Sequence, residues 1–262
     1  MLTRIAKALK PWPKHPIDKL YGIETSARVR RWRTRSGDQE ADAANNGYSC
    51  SQPSIVRSAI GSLPPLEDAA FIDLGSGKGR VTAVATEFPF ARIIGVELSA
   101  ALCRMMRRNG ERLRRGYPER TPMEVVEGDA SRPELPPTGD VVMFLSNSFR
   151  GPLVRRLIDH LVAAWGGPGP RRFFFIYYNP VHFALFDEEP AFVRYAAERQ
   201  NHRPEEFAAH PFENHWDSFV IWQMRSDRMA PALPTAQRTV VVEWAELGAV
   251  VQVPEETVGK VA

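Results

Sequence analysis

"FIDLGSGKGR", residues 71–80, sets three glycines and a lysine directly behind a short apolar run. A strand ending in such a turn offers backbone N–H groups to a ligand, and glycine lets the backbone approach it closely. Three ligand chemistries use turns of this kind: a nucleoside triphosphate, a dinucleotide, and S-adenosylmethionine (SAM). The neighbouring residues separate them.

A triphosphate loop needs G-x-x-x-x-G-K-[ST]. Aligned on Gly77-Lys78, the chain has Ile72 in place of the first glycine and Gly79 in place of the magnesium-binding Ser/Thr. A dinucleotide turn needs G-x-G-x-x-G. Here Gly75, Gly77 and Gly79 run G-x-G-x-G, and Arg80 takes the last position. Asp73, two residues before the first glycine, would repel a pyrophosphate and suits an ammonium. SAM carries a cationic methionine end, a sulfonium and a ribose, and no phosphate.

The following strands supply the rest of such a site. "ARIIGVELS", residues 91–99, ends near Glu97, 22 residues after Gly75. That is close to the roughly 20-residue spacing of an acid that accepts from ribose hydroxyls. "EGDA", residues 127–130, puts Asp129 at the end of the third strand, placed to accept from an adenine amine. Asp73, Gly75, Ser76, Gly77, Gly79, Glu97, Leu98, Asp129 and Ala130 are therefore the expected cofactor set. A rival reading makes Asp73 and Asp129 helix caps and Glu97 a surface carboxylate. It explains each residue singly but not their common edge.

Alternation of strand and helix carries these motifs from about residue 53 to residue 178. Pro53 suits the first turn of a helix bearing Ile55, Val56, Ala59, Ile60 and Leu63. "AAFIDL" reads as a strand, followed by a helix over Val81, Val84, Ala85 and Phe88 that Pro89 ends. Ser99 caps a helix carrying Leu102, Met105 and Met106, and Asn109-Gly110 is expected to stop it. "MEVVEGD" and "DVVMFLS" are strands. Pro152 opens a helix with Leu153, Val154, Leu157, Ile158, Leu161 and Val162 on one face, ended by "GGPGP". "RRFFFIYY" is apolar on both faces, as in a covered parallel sheet. This predicts a doubly wound α/β domain. Beyond Pro180, "DSFVIWQM" reads as a strand near the end of the sheet, and "RTVVVEW" with "AVVQV" as a terminal hairpin before a frayed end. The expected division is a basic arm and loop over 1–47, the α/β domain over 48–225, and a C-terminal extension over 226–262.

Charge sets the arm apart. Residues 1–36 hold ten Lys/Arg against Asp18 and Glu24, a balance of +8 within a chain of net +3, so residues 37–262 carry −5. Leu2, Ile5, Ala6 and Leu9 fall at helical spacing, and "RVRRWRTR" sets Trp32 among arginines. Such an arm suits an acidic or nucleic-acid partner, or is simply a solvated face. Two cysteines, Cys50 and Cys103, cannot build a disulfide framework, which favours a reduced, cytoplasmic setting. No run approaches the roughly 20 apolar residues of a membrane span. The beginning lacks the pattern of a secretory signal. His210 and His215, five apart, lack a third ligand, and no metal site is expected.

"DLGSGKGR", "GVELS" and "EGDA" resemble the first three motifs of class I SAM-dependent methyltransferases, in order and spacing. The resemblance covers about residues 48–180. It implies a Rossmann-like, mostly parallel seven-stranded sheet with the last strand antiparallel, and SAM as cofactor. Within the class, "DLGSG.GR" followed by "GVE" is similar to non-SET histone-lysine and other protein-lysine methyltransferases. Their Asn-Asn-Phe-like element after the fourth strand has a counterpart in "SNSF", giving Asn147 and Phe149. Nucleobase amino-methyltransferases carry Asn/Asp-Pro-Pro-aromatic there, and both prolines are absent.

The resemblance implies methyl transfer to an amine such as a protein lysine. Asn147 would accept from that amine, with Phe149 walling the methyl path; the other reading makes Asn147 a helix cap. "YYNP", residues 177–180, puts Tyr178 and Asn179 on the same edge, and Tyr177 and Tyr178 point to opposite faces. "GYSCSQPS" precedes the first motif, where relatives fold a segment over the methionine end. That makes Tyr48 and Gln52 candidates, although Ser51 or Gln52 also suits a helix cap. A small metabolite or a glycan as acceptor, or a non-catalytic SAM-binding module docked to an acidic partner, are the alternatives.

Overall fold

The computed structural model describes residues 13–27, 29, 50–165, 171–209 and 215–233, and the backbone of 241–244 and 249–252. Tyr48, the Leu2–Leu9 pattern, the "RVRRWRTR" run apart from Val29, the "GGPGP" stop, His210 and the last ten residues lie outside the described residues.

Seven strands form one sheet. They are β1 (Ala70–Leu74), β2 (Arg92–Glu97), β3 (Met123–Glu127), β4 (Val141–Ser146), β5 (Phe173–Tyr178), β6 (Phe192–Asn201) and β7 (Trp216–Met224). Their spatial order is β3-β2-β1-β4-β5-β7-β6. The first five run parallel, and β7 runs antiparallel to both β5 and β6. This is the doubly wound, Rossmann-like architecture. β1 and β5 are buried along their whole length, the consequence of helices covering both faces. The chain leaves β1 outward through β2 and β3 and returns to β4 on the other side, which makes the β1/β4 junction a topological switch point.

Helices α1 (Pro16–Tyr21), α2 (Pro53–Gly61) and α3 (Arg80–Ala85) cover one face. Phe71, Phe144, Phe174 and Tyr178 from the sheet pack there against Ile17, Tyr21, Ile55, Val56 and Val84. On the other face, α5 (Gly151–Trp165) and α6 (Ala184–Asp187) enclose Leu145, Phe173, Phe175, Tyr177 and Trp222. α5 buries Leu153, Val154, Leu157, Ile158 and Leu161, while Val162, expected on that face, is 38% exposed. α7 (Pro204–Ala209) lies in the β6–β7 connection, and β8 (Val241–Trp244) pairs antiparallel with β9 (Ala249–Gln252).

One local reading is corrected, and one strand is added. α4 (Ala100–Gly116) runs straight through Asn109-Gly110 instead of stopping there. The Asn109 carboxamide is buried and committed elsewhere: it accepts from Glu24 N and donates to the carbonyls of Glu24 and Lys78. A Cβ at Gly110 would sit 3.6 Å from Met123 Cβ, an ordinary contact distance, so α4 lies close against β3 at this point. β6 had no counterpart in the sequence reading; the strand read near the end of the sheet is β7, which stands next to the edge strand β6.

The basic arm is divided by the structure. Residues 15–26 fold onto the α/β domain, with His15, Ile17, Asp18, Tyr21, Ile23, Thr25 and Ser26 buried. Of its ten cations only Lys14 and Lys19, both exposed, lie among the described residues.

Candidate functional site

The carboxyl ends of β1, β2, β3, β4 and β5 form one rim, and the turn 75–79 crosses it. Gly75, Gly77 and Gly79 have φ of 74°, 58° and 82°, the left-handed region that glycine enters without a Cβ clash. A Cβ at Gly75 would lie 2.9 Å from Ser148 Oγ, and one at Gly79 would lie 2.7 Å from Met123 Cε. Ser76 is buried, and its hydroxyl donates to Met106 Sδ at 3.3 Å.

Two carboxyl groups are buried at this turn. Asp73 is 2% exposed, and its Oδ2 has no hydrogen-bond partner among the described residues. Burial, and then the charge of Glu97, push its carboxyl well above the usual range. It lies inside β1 and caps no helix. Glu97, at the end of β2, accepts from Gly77 N at 2.9 Å through Oε2 and from Ser99 N at 2.8 Å through Oε1. Burial raises its pKa against the pull of the Ser99, Gly77 and Leu98 N–H groups. A carboxylate has about four lone-pair sites, so both oxygens retain acceptor capacity.

Asp129 differs from these two. It is exposed, its Oδ1 accepts from Ser131 N and Oγ at 2.9 and 2.7 Å, and Arg156 stands 3.8 Å from Oδ2. It therefore shapes the turn after β3, with Oδ2 directed elsewhere. Ala130 is buried in the sheet core, and Leu98 is half-buried beside Glu97.

The cationic residues of the turn have a different use from anion binding. Lys78, 1% exposed, bonds both Glu24 oxygens at 3.1 and 3.2 Å and the Ala27 carbonyl at 2.6 Å. Buried Arg80 donates to Thr25 Oγ1 at 2.8 Å and Ser26 Oγ at 3.2 Å. Asp18 in turn accepts from the backbone N–H and hydroxyl groups of Thr25 and Ser26. Residues 15–27 thus form a strap clasped to the glycine turn from outside. The "GK" pair that resembles a phosphate loop fastens this strap.

Toward β4 and β5, Asn147 is buried at φ 38°, and its Oδ1 accepts from Tyr177 OH at 3.3 Å. α5 takes its first backbone bonds at the Arg150 carbonyl, three residues past Asn147, which separates that residue from helix capping. Phe149 is 4% exposed and packs with the α5 side of the core. Tyr178 points to the opposite face from Tyr177, accepts from Gln52 N at 3.0 Å and donates to Asp217 Oδ2. Gln52 is buried, and its Oε1 lies 3.2 Å from His15 Nε2. Neither Ser51 nor Gln52 caps α2 through its side chain: Ser51 Oγ donates to Ser146 Oγ at 2.8 Å, and Glu206 of α7 accepts from Ser54 N and Oγ.

The strap, Ser146, His202 and Asp217 escaped the sequence reading. Two cations inside a turn that must be buried, Lys78 and Arg80, were the available signal for the strap. No group of three or more His, Cys, Asp or Glu among the described residues is arranged to hold a metal ion. No helix among them is long and apolar enough to cross a membrane.

Strand order, antiparallel β7 and an acidic glycine turn at the switch point define the Rossmann-like methyltransferase fold. No family model and no curated protein matches the chain. Solved structures resemble it at low identity. A protein of Pyrococcus horikoshii titled as an RNA methyltransferase is 15% identical, with 79% of this chain and 94% of that chain covered and a TM-score of 0.46. An RNA methyltransferase from Salinibacter ruber in complex with S-adenosyl-L-homocysteine is 17% identical, with 70% and 97% covered and a TM-score of 0.44. Precorrin-6y C5,15-methyltransferase from Geobacter metallireducens is 16% identical, with 76% and 100% covered and a TM-score of 0.48. Likenesses at this level say nothing of ligand or acceptor.

Proposed function

We propose that the chain is a SAM-dependent methyltransferase acting on an amine nitrogen. The observation that carries this reading is Asp73: a fully buried carboxyl with an unpartnered oxygen, beside a second buried acid, behind three left-handed glycines at a switch point. Two buried acids disfavour a phosphate and suit a ligand bearing an ammonium and ribose hydroxyls.

In this reading Asp73 and the Gly75–Gly79 turn hold the methionine end, Glu97 and Leu98 the ribose, and Asp129 with Ala130 the adenine side. The bound cofactor supplies an activated methyl group on a sulfonium. The chain's contribution is binding, orientation and exclusion of water. Asn147 and Tyr178, on adjacent strand ends, orient the acceptor, and Phe149 stiffens the wall behind them. Gln52 closes the site over Tyr178, and Tyr48 precedes it in the same segment.

"SNSF" lacks the paired prolines of nucleobase amino-methyltransferases, which favours an aliphatic amine such as a protein lysine. Two of the solved structures above carry RNA methyltransferase titles, so RNA belongs among the acceptors tested. Incubation of the protein with methyl-labelled SAM and a cell extract, followed by separation into protein, RNA and small molecules, tests the proposal. Label in protein supports the lysine acceptor, and label in RNA or a small molecule replaces it while keeping the reaction. SAM binding with no label in any fraction contradicts catalysis.

A further inference from the structure

The β6–β7 connection brings a second polar cluster to the rim where Asn147 and Tyr178 lie. β7 runs antiparallel to β5, so its first residues sit level with the end of β5: Tyr178 pairs with Phe219, and Asn179 N donates to the Ser218 carbonyl at 2.7 Å. Asp217 lies just beyond that point. Its Oδ1 accepts from Asn179 Nδ2 at 2.6 Å, and its Oδ2 accepts from Tyr178 OH and from His202 Nε2 at 2.7 Å. Three donors converge on one carboxylate, and one of them is an imidazole.

The arrangement fixes the tautomer of that imidazole. Asp217 takes the Nε2 proton in a hydrogen bond, which leaves Nδ1 with a bare lone pair. The His202 side chain is 3% exposed, and Nδ1 has no hydrogen-bond partner among the described residues. A buried acceptor atom without a partner is costly, and native folds keep few of them. Burial and the Asp217 charge hold the Tyr178 phenol well above its usual range, so it remains a proton donor to Asp217.

We propose that His202 Nδ1 is the general base that receives the proton of the methyl acceptor, with Asp217 as its positioning residue. The inference rests on the methyltransferase reading and names the acceptor class: an amine that arrives protonated. The acceptor ammonium gives its proton to Nδ1, which leaves a neutral amine and an imidazolium paired with the Asp217 carboxylate. The amine lone pair then forms the N–CH3 bond as the S–CH3 bond of the sulfonium donor breaks, and that electron pair stays on sulfur. Charge balances: a neutral amine and a cationic donor give a cationic methylated amine and a neutral thioether. The titratable groups around His202 come from three sides: Tyr178 of β5, Asp217 and the nearby His215 at the start of β7, and Glu206 of α7, whose charge acts on Tyr178.

The test uses the full chain. In His202→Gln the side-chain amide keeps a donor for Asp217 but has no basic nitrogen. The base role expects label transfer from SAM to extract acceptors to fall about 10²- to 10⁴-fold near neutral pH, with calorimetric SAM affinity unchanged. It also expects the pH profile of the rate to differ between His202→Gln and the parent. A purely structural His202 would leave both the rate and the pH profile of His202→Gln close to the parent, and that result overturns the inference. An inactive parent that binds SAM instead marks failure of the underlying reading, and the inference falls with it. A measurement free of any variant is the nitrogen NMR spectrum of histidine-labelled parent protein. The ring proton is expected on Nε2, facing Asp217, with Nδ1 bare; a proton on Nδ1 overturns the proposal.

Discussion

Gly77 donates its backbone N–H to Glu97 Oε2 at 2.9 Å, tying the turn after β1 to the acid that ends β2. The bond fixes the carboxylate while leaving lone pairs for a ligand. Glu97→Ala removes the charge-assisted bonds assigned to the ribose. SAM affinity is expected to fall by about 2–4 kcal/mol, roughly 30- to 1000-fold, in a calorimetric titration. Unchanged affinity removes Glu97 from the site.

Asp73 couples function to stability with a definite sign. Its folded pKa is raised well above the ordinary carboxylate value. Below the ordinary range both folded and unfolded chains hold the proton, and Asp73 has no effect. As pH rises through that range, the unfolded chain ionises first, so the folded state loses stability until its own carboxyl ionises. Asp73→Asn abolishes this loss. The apo variant is expected to gain stability at neutral pH, because an amide has no buried charge to form, and to bind SAM more weakly. Denaturant melts across pH, paired with SAM titrations, show whether stability and affinity move in opposite directions.

Gly79 is a steric requirement. Its φ of 82° and the 2.7 Å approach of Met123 Cε to a Cβ leave no room for alanine. Left-handed backbone alone costs an L-residue about 1–2 kcal/mol, and displacing Met106 and Met123 adds to it. Gly79→Ala is expected to lower the urea midpoint accordingly; a midpoint equal to the parent's would show that the turn tolerates a side chain.

The strap has its own pH signature. Burial, and then the charge of Arg80, bring the His15 pKa down from 6.5 to about 4. Between those values the unfolded chain binds a proton that folded His15 refuses, so stability is lost as pH falls from 6.5 to 4. His15→Gln is expected to flatten that part of the stability profile. A variant with the parent's slope would assign the loss to other groups.

The sequence made β1, β2, β4 and β5 legible because interior parallel strands are near-continuous apolar runs, while β3, an edge strand, was read from the shorter "MEVVEGD"; the strand-end acids follow from them. β6 was hidden because Arg194, Glu198, Arg199 and Gln200 dilute its apolar pattern, as an edge strand allows. Asn109-Gly110 misled because a local stop signal was overridden by tertiary bonds to Glu24 and Lys78. The strap and the His202–Asp217 pair are contacts between distant segments: Lys78 lies 54 residues from Glu24, and His202 meets Asp217 only because β6 and β7 pair. No periodicity within either segment encodes such meetings.

The central claim is that two buried acids and a glycine turn hold a sulfonium nucleoside. Titrating the purified chain with SAM in a calorimeter, with NAD and ATP as parallel ligands, tests it most directly. Saturable binding of SAM, with neither phosphorylated nucleotide bound, is the expected result. No heat with SAM beside saturable binding of NAD or ATP would contradict the account.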